Sequence, residues 1–170
     1  MARYLKNGID VQTKQATDSK VRDIVEGILA EIETDGDATV RKYSEKFDNW
    51  SPKNFRLSEV EIKACYDDVT EQEQSDIRFA QAQVRGFAQV QRTSMKDVEV
   101  ETLPGVTLGH KHLPVNAAGC YIPGGKYPLI ASAHMSVITA KVAGVPRVIA
   151  CAPPFNGRPH PAIVVAMDMA

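Results

Sequence analysis

Segment 117–170 allows few architectures. Ala-Ala-Gly-Cys-Tyr-Ile (117–122) is a short apolar run that stops at Pro123, Gly124 and Gly125. A helix is predicted from Pro128 to about Ala143, where Gly144 with Pro146 beyond it is a stop signal. Arg-Val-Ile-Ala-Cys (147–151) reads as a second short strand. Ala-Pro-Pro-Phe-Asn-Gly-Arg-Pro (152–159) reads as a loop, and a further helix starting at Pro159 or Pro161 is expected to run to Ala170. Strand, helix, strand, helix is the grammar of a parallel sheet with helices on its faces. Two strands do not complete such a sheet. Either a preceding hairpin extends it or further chain does, and the expectation is further chain.

Upstream the pattern is helical. Residues 1–16 are polar and aperiodic, as in a tail or docking arm. Val21, Ile24, Val25, Ile28, Leu29 and Ile32 then recur at helical steps from about 18. Thr-Asp-Gly-Asp (34–37) ends that helix and starts another to about 47, with Val40, Tyr43, Ser44 and Phe47 on one face. Residues 48–55 read as a loop broken by Pro52. Two capping boxes follow: Ser58 with Glu61 opens a short helix to about 68, and Thr70 with Glu73 opens a long one over about 70–93. In the long helix Ile77, Ala80, Val84, Phe87 and Gln91 fall at near-heptad spacing. That stripe serves either a dimer helix or a helix packed on its own domain. Val98, Val100, Leu103, Val106, Leu108, His110 and His112 alternate with other residues about Pro104-Gly105, which predicts a hairpin. The expected division is a helical region at 1–95 and the start of an α/β domain at 96–170.

Composition closes off several function classes. The formal net charge is −1, which points away from nucleic-acid and membrane partners. Cys65, Cys120 and Cys151 are an odd count without Cys-x-x-Cys, so free thiols in a reducing compartment are expected. No signal peptide or membrane-length apolar run is evident, and the expected location is the cytoplasm.

Among motifs, the turn after residue 122 comes first. A strand, a Gly-rich turn and a helix can offer backbone N–H groups to an anion. Gly119, Gly124 and Gly125 do not fit the dinucleotide fingerprint, and Lys126 falls one place late for a phosphate loop, with Tyr127 in place of Ser/Thr. A ligand site and a turn that needs glycine for its dihedrals both stay open at this point. Tyr121 and Tyr127 tilt the balance toward a site, because rings at a strand's carboxyl end can stack on a planar ligand. His110 and His112 share one strand face, a spacing zinc could use, but no third ligand is nearby. His134 is read as satisfying a local hydrogen bond. Cys120 and Cys151 are read as small buried strand residues. No Ser/His/Asp grouping or paired-carboxylate motif stands out.

These motifs together resemble the histidinol dehydrogenase family. The residues that carry the resemblance are Gly-Cys-Tyr-Ile-Pro-Gly-Gly (119–125), Thr-Ala-Lys-Val-Ala-Gly-Val (139–145) and Val-Ile-Ala-Cys-Ala-Pro-Pro (148–154). Gly36, Asp37, Ala38, Arg41, Tyr43, Ser44, Lys46, Phe47 and Asp48 add an N-terminal match. The resemblance implies an α/β fold: a helical N-terminal region followed by the first half of an incomplete Rossmann-like parallel-sheet domain. It also implies a homodimeric, zinc- and NAD-dependent enzyme more than twice this length, which oxidises a primary alcohol through an aldehyde to a carboxylate. By the same resemblance Tyr121 contacts NAD, with Pro123, Gly124 and Gly125 lining the cofactor site. Zinc ligands and catalytic base would lie downstream of this chain, so no metal or catalytic residue is assigned in it and the chain alone is expected to be inactive. Histidinol dehydrogenases typically follow the Gly-Gly with a Ser-Ser/Thr-Val-Leu-Met run, where this chain has Ala-Ser-Ala-His-Met (131–135). Lys-Tyr-Pro (126–128) also departs, and the pattern is more similar to a paralogous branch that includes sulfopropanediol dehydrogenases acting on small polar diols. The alternatives from other classes are a non-catalytic association module and a nucleotide- or phosphate-binding domain that uses the Gly-rich turn alone.

Overall fold

The computed structural model describes residue 8 and residues 10–124 and 126–170. The chain divides into two compact units, Met1–Ser51 and Pro52–Ala170. The long helix packs on the α/β elements that follow it, so the second unit joins helices to the α/β segment.

In the first unit, α1 (Val11–Asp35) starts earlier than the apolar pattern implies. The polar residues after Val11 are helical rather than a tail, and residues 1–7 and 9 lie outside the described residues. Once a helix is nucleated, each added residue gains one hydrogen bond, so a helix can extend past its apolar stripe. Gly36 alone joins α1 to α2 (Asp37–Asp48), at φ 57° and ψ −131°, a conformation essentially closed to residues with a Cβ. Glu31 of α1 anchors α2 twice: its carbonyl accepts from Thr39 Oγ1 at 3.3 Å and its carboxylate pairs with Lys42 at 2.6 Å. Val21, Ile24, Val25 and Leu29 stay exposed, so most of the α1 stripe is bare.

The second unit begins with both predicted capping boxes in place. Ser58 caps α3 (Glu59–Asp67) and Thr70 caps α4 (Glu71–Ser94), each hydroxyl accepting from the N3 amide while the Glu carboxylate takes the cap's own N–H. Gln74 Nε2 then donates to the Val69 carbonyl at 3.0 Å and ties the two helices at their junction. The inward stripe of α4 is Ile77, Gln81, partly buried Val84 and Ala88, whereas Phe87 is exposed. Ile77 and Val84 thus face inward as the stripe implies, Gln81 and Ala88 join them, and α4 packs on its own unit.

β1 (Val98–Leu103) and β2 (Val106–His110) form the expected hairpin, with Val100 opposite Leu108 and a bulge between Glu101 and Leu103. Gly105 takes the positive φ of 79° that the turn requires. The hairpin forms a sheet of its own and does not extend the next one.

β3 (Ala117–Tyr121) and β4 (Arg147–Cys151) pair in parallel, and Ile122 N–H extends the ladder to the Cys151 carbonyl at 2.8 Å. Between them the helix has three parts: α5 (Ile130–Ala133), a π-helical turn (His134–Ile138) and α6 (Thr139–Val142). It starts two residues later than Pro128 and is not the plain α-helix expected. The last helix, α7 (Pro161–Met169), is apolar almost all round and buried from Ala162 to Ala166, as a helix inside a core must be. The core gathers Cys120, Ile122, Ala133, Val137, Ile138, Ile163, Val165 and Ala166. The fold class is thus α/β, with a helical N-terminal region and a small parallel sheet. Among the described residues no helix is long and apolar enough to cross a membrane.

Candidate cofactor site

The burial of β3 and β4 alternates. Ala118, Cys120, Val148 and Ala150 turn toward the helices, while Ala117, Gly119, Tyr121, Arg147, Ile149 and Cys151 are exposed. One sheet face is therefore packed and the other bare. Parallel sheets ordinarily cover both faces, so the bare one is the unusual surface. Cys151, expected to be buried, is exposed there; its register partner is Tyr121, itself 62% exposed.

The Gly-rich turn leaves the sheet at the carboxyl end of β3. Ile122 is fully buried and anchors the exit. Leu129 N–H donates to the Pro123 carbonyl at 3.3 Å and closes the loop. Gly124 is buried, and a Cβ built on it would sit 3.1 Å from Ile163 Cδ1 of α7 and 3.9 Å from Pro153 Cγ. Its φ is not positive, so this glycine answers to space rather than to dihedrals. It seats the turn directly on α7. Gly119 is different: a Cβ there would meet nothing within 4 Å. Pro123 is half-buried beside the turn, Lys126 and Tyr127 are exposed, and Gly125 lies outside the described residues.

A buried polar cluster joins α4, the π turn and α7. His134 opens the π turn at 5% exposure, and Gln81 of α4 is 6% exposed. Gln81 Nε2 donates to the Ala166 carbonyl of α7 at 2.9 Å and lies 3.3 Å from His134 Nδ1. An amide nitrogen only donates, so Nδ1 accepts and the ring hydrogen sits on Nε2. Burial lowers the His134 pKa and keeps the ring neutral. His134 is thus buried and hydrogen-bonded, but to a residue of α4 far along the chain and not to a local partner. The sequence does not single out Gln81, because both its partners lie far along the chain.

The remaining candidates stay apart from the turn. His110 and His112 touch edge to face at 5.1 Å on the hairpin. Among the described residues no three His, Cys, Asp or Glu side chains come together to hold a metal ion. Zinc takes three or four such ligands, so the residues present do not fit it. Two clefts, of about 330 and about 190 Å³, lie along α3 and not at the turn. The first holds the Tyr66 hydroxyl, which donates to Asp168 Oδ2 at 2.8 Å; burial first, then that bond, push the phenol up to about 12. NAD fits the turn better than zinc fits the chain. An exposed ring stands at the carboxyl end of a parallel strand, where ligands of open α/β sheets bind, and the buried glycine seats the turn beside it on α7.

Comparison with known proteins gives a consistent picture. The sequence pattern of the family described as Histidinol dehydrogenase matches residues 11–170. A histidinol dehydrogenase homolog of Shouchella clausii is 52% identical over 170 residues, covering 100% of this chain and 40% of the relative. The sulfopropanediol 3-dehydrogenase of Ruegeria pomeroyi is 47% identical over 164 residues, covering 96% and 37%. The histidinol dehydrogenase of Methanosarcina mazei is 36% identical over 153 residues, covering 88% and 35%. The crystal structure of histidinol dehydrogenase from Elizabethkingia anophelis superposes with a TM-score of 0.77 at 27% identity, covering 98% of this chain and 36% of that one. The chain thus spans at most 40% of the length of these relatives.

Proposed function

This chain belongs to the histidinol dehydrogenase family, and on that premise we propose that it supplies one wall of the NAD site of an alcohol dehydrogenase. The complete protein oxidises a small polar primary alcohol through an aldehyde to a carboxylate and works with zinc as a homodimer. NAD, when bound, accepts the hydride from the alcohol carbon. This chain's part is to bind and orient. Tyr121 offers a flat exposed ring, and Pro123 and Gly124 hold the turn in place beside it, Gly124 by its seat against Ile163. Gly125 completes the same motif. The zinc ligands and the base are assigned to the remaining polypeptide, so the 170-residue chain alone is expected to be inactive.

The observation that carries this reading is the pairing of an exposed Tyr121 with a buried Gly124 at the carboxyl end of β3. It is tested by titrating NAD and ATP against the complete protein and its Tyr121→Ala variant. Loss of stacking is worth about 1 kcal/mol, so NAD affinity is expected to fall roughly five- to tenfold while ATP stays weak. Equal binding of both nucleotides, unaffected by the substitution, would sink the assignment.

The substrate we assign is a small sulfonated diol rather than histidinol. Its support is the higher identity to the Ruegeria sulfopropanediol enzyme (47%) than to the Methanosarcina histidinol enzyme (36%). Comparing kcat/KM of the complete protein on the two alcohols decides between them, and light scattering checks the dimer.

A further inference from the structure

We propose that Gln81 and His134 act as a positioning pair for the cofactor: together they lock the π turn to α4 and α7 and so fix the place of the Gly-rich turn. The inference rests on reading that turn as the NAD site.

The geometry forms a closed ring of contacts. The turn sits on Ile163 of α7 through the space left at Gly124. About one helical turn further along α7, the Ala166 carbonyl receives one hydrogen of the Gln81 amide. The second amide hydrogen faces His134 Nδ1. His134 begins the π turn, which follows α5 without a break, and α5 starts at Ile130 directly after the Gly-rich turn. Contact therefore runs from turn to α7 to Gln81 to His134 to α5 and back to the turn. A π turn carries poorer hydrogen bonding than α-helix and persists where outside contacts hold it. The Gln81–His134 contact is such a hold, and it uses both hydrogens of one amide in a water-poor place. A buried polar contact of this kind favours one arrangement rather than several. Nothing in it touches the reacting atoms, so both residues act through the turn.

The test compares the complete protein with Gln81→Leu, His134→Leu and the double variant, with Tyr121→Ala as control. The expected result is an NAD KM raised about five- to tenfold in each single variant, with kcat and alcohol KM changed less than about twofold. The double variant should be no worse than the poorer single one, because both break one contact. If Tyr121→Ala leaves NAD binding intact, the cofactor-site reading itself fails. If Tyr121→Ala weakens NAD but both leucine variants keep NAD KM within about twofold, or lose NAD and alcohol affinity alike, the positioning role is overturned. Should the variants not fold, 15N spectra of the histidine-labelled parent decide. The proposal requires an unprotonated His134 Nδ1 whose resonance moves on NAD addition. A protonated Nδ1, or a resonance indifferent to NAD, overturns it.

Discussion

Gly124, Gly36 and Gly86 are the same residue put to three uses, and the sequence distinguishes them unequally. Gly36 sits between two helical patterns and is legible as a break. Gly124 is legible as part of a turn, but its reason, the approach of Ile163, depends on a helix 39 positions later and cannot be read locally. Gly86 lies mid-helix at a cost of about 1 kcal/mol relative to Ala, and among the described residues a Cβ placed on it would meet nothing within 4 Å. Tyr66 carries the residue-scale prediction. Its phenol is pushed up to about 12 against an ordinary value of 10.0. The folded state therefore keeps a proton that the unfolded chain releases, and stability falls as pH rises from about 10 to about 12. Tyr66→Phe is expected to remove that part of the slope, read from urea midpoints across the window, and to cost about 1 kcal/mol at neutral pH through the lost bond to Asp168.

At the scale of elements, local chemistry is the best guide. Both capping boxes and β4 are where short-range rules put them, because their causes lie within four or five residues. The Asn156-Gly157 pair, read only as loop, makes a tight turn with φ of 51° and 75° and a Phe155–Arg158 bridge; the Asn-Gly signal is present in the sequence and goes unused there. The π turn goes unread in the sequence, although the Ser136 and Thr139 hydroxyls around it bond back to carbonyls three and four residues earlier. Thr70→Ala is expected to destabilise the fold by about 1 kcal/mol, measured by urea unfolding at pH 7. Bonds from Thr70 lower the Glu73 carboxyl below its usual value of 4.5, so the capping box helps fully above that value and is lost as pH falls below it. The gap between Thr70→Ala and the parent should shrink accordingly in acid.

At the scale of the whole molecule, the candidate site is half legible. Tyr121 and the turn can be named from their residues, while the Gln81 brace cannot, because it joins positions 53 and 85 residues apart. The division at 51/52 is also hidden, since the packing of α4 on later elements bears on it. Purified alone, the 170-residue chain is expected to show no alcohol oxidation with NAD and zinc supplied, and measurable turnover would refute the assignment of metal and base to the rest of the polypeptide. The bare face of the two-stranded sheet has one more consequence. Its exposed Ile149 and Tyr121 lie across strands whose outer edges have no partner among the described residues. Unpaired edges beside apolar side chains are templates for pairing with another chain. Expressed at this length, the protein is expected to work against its own solubility, through the same bare face that carries the candidate site.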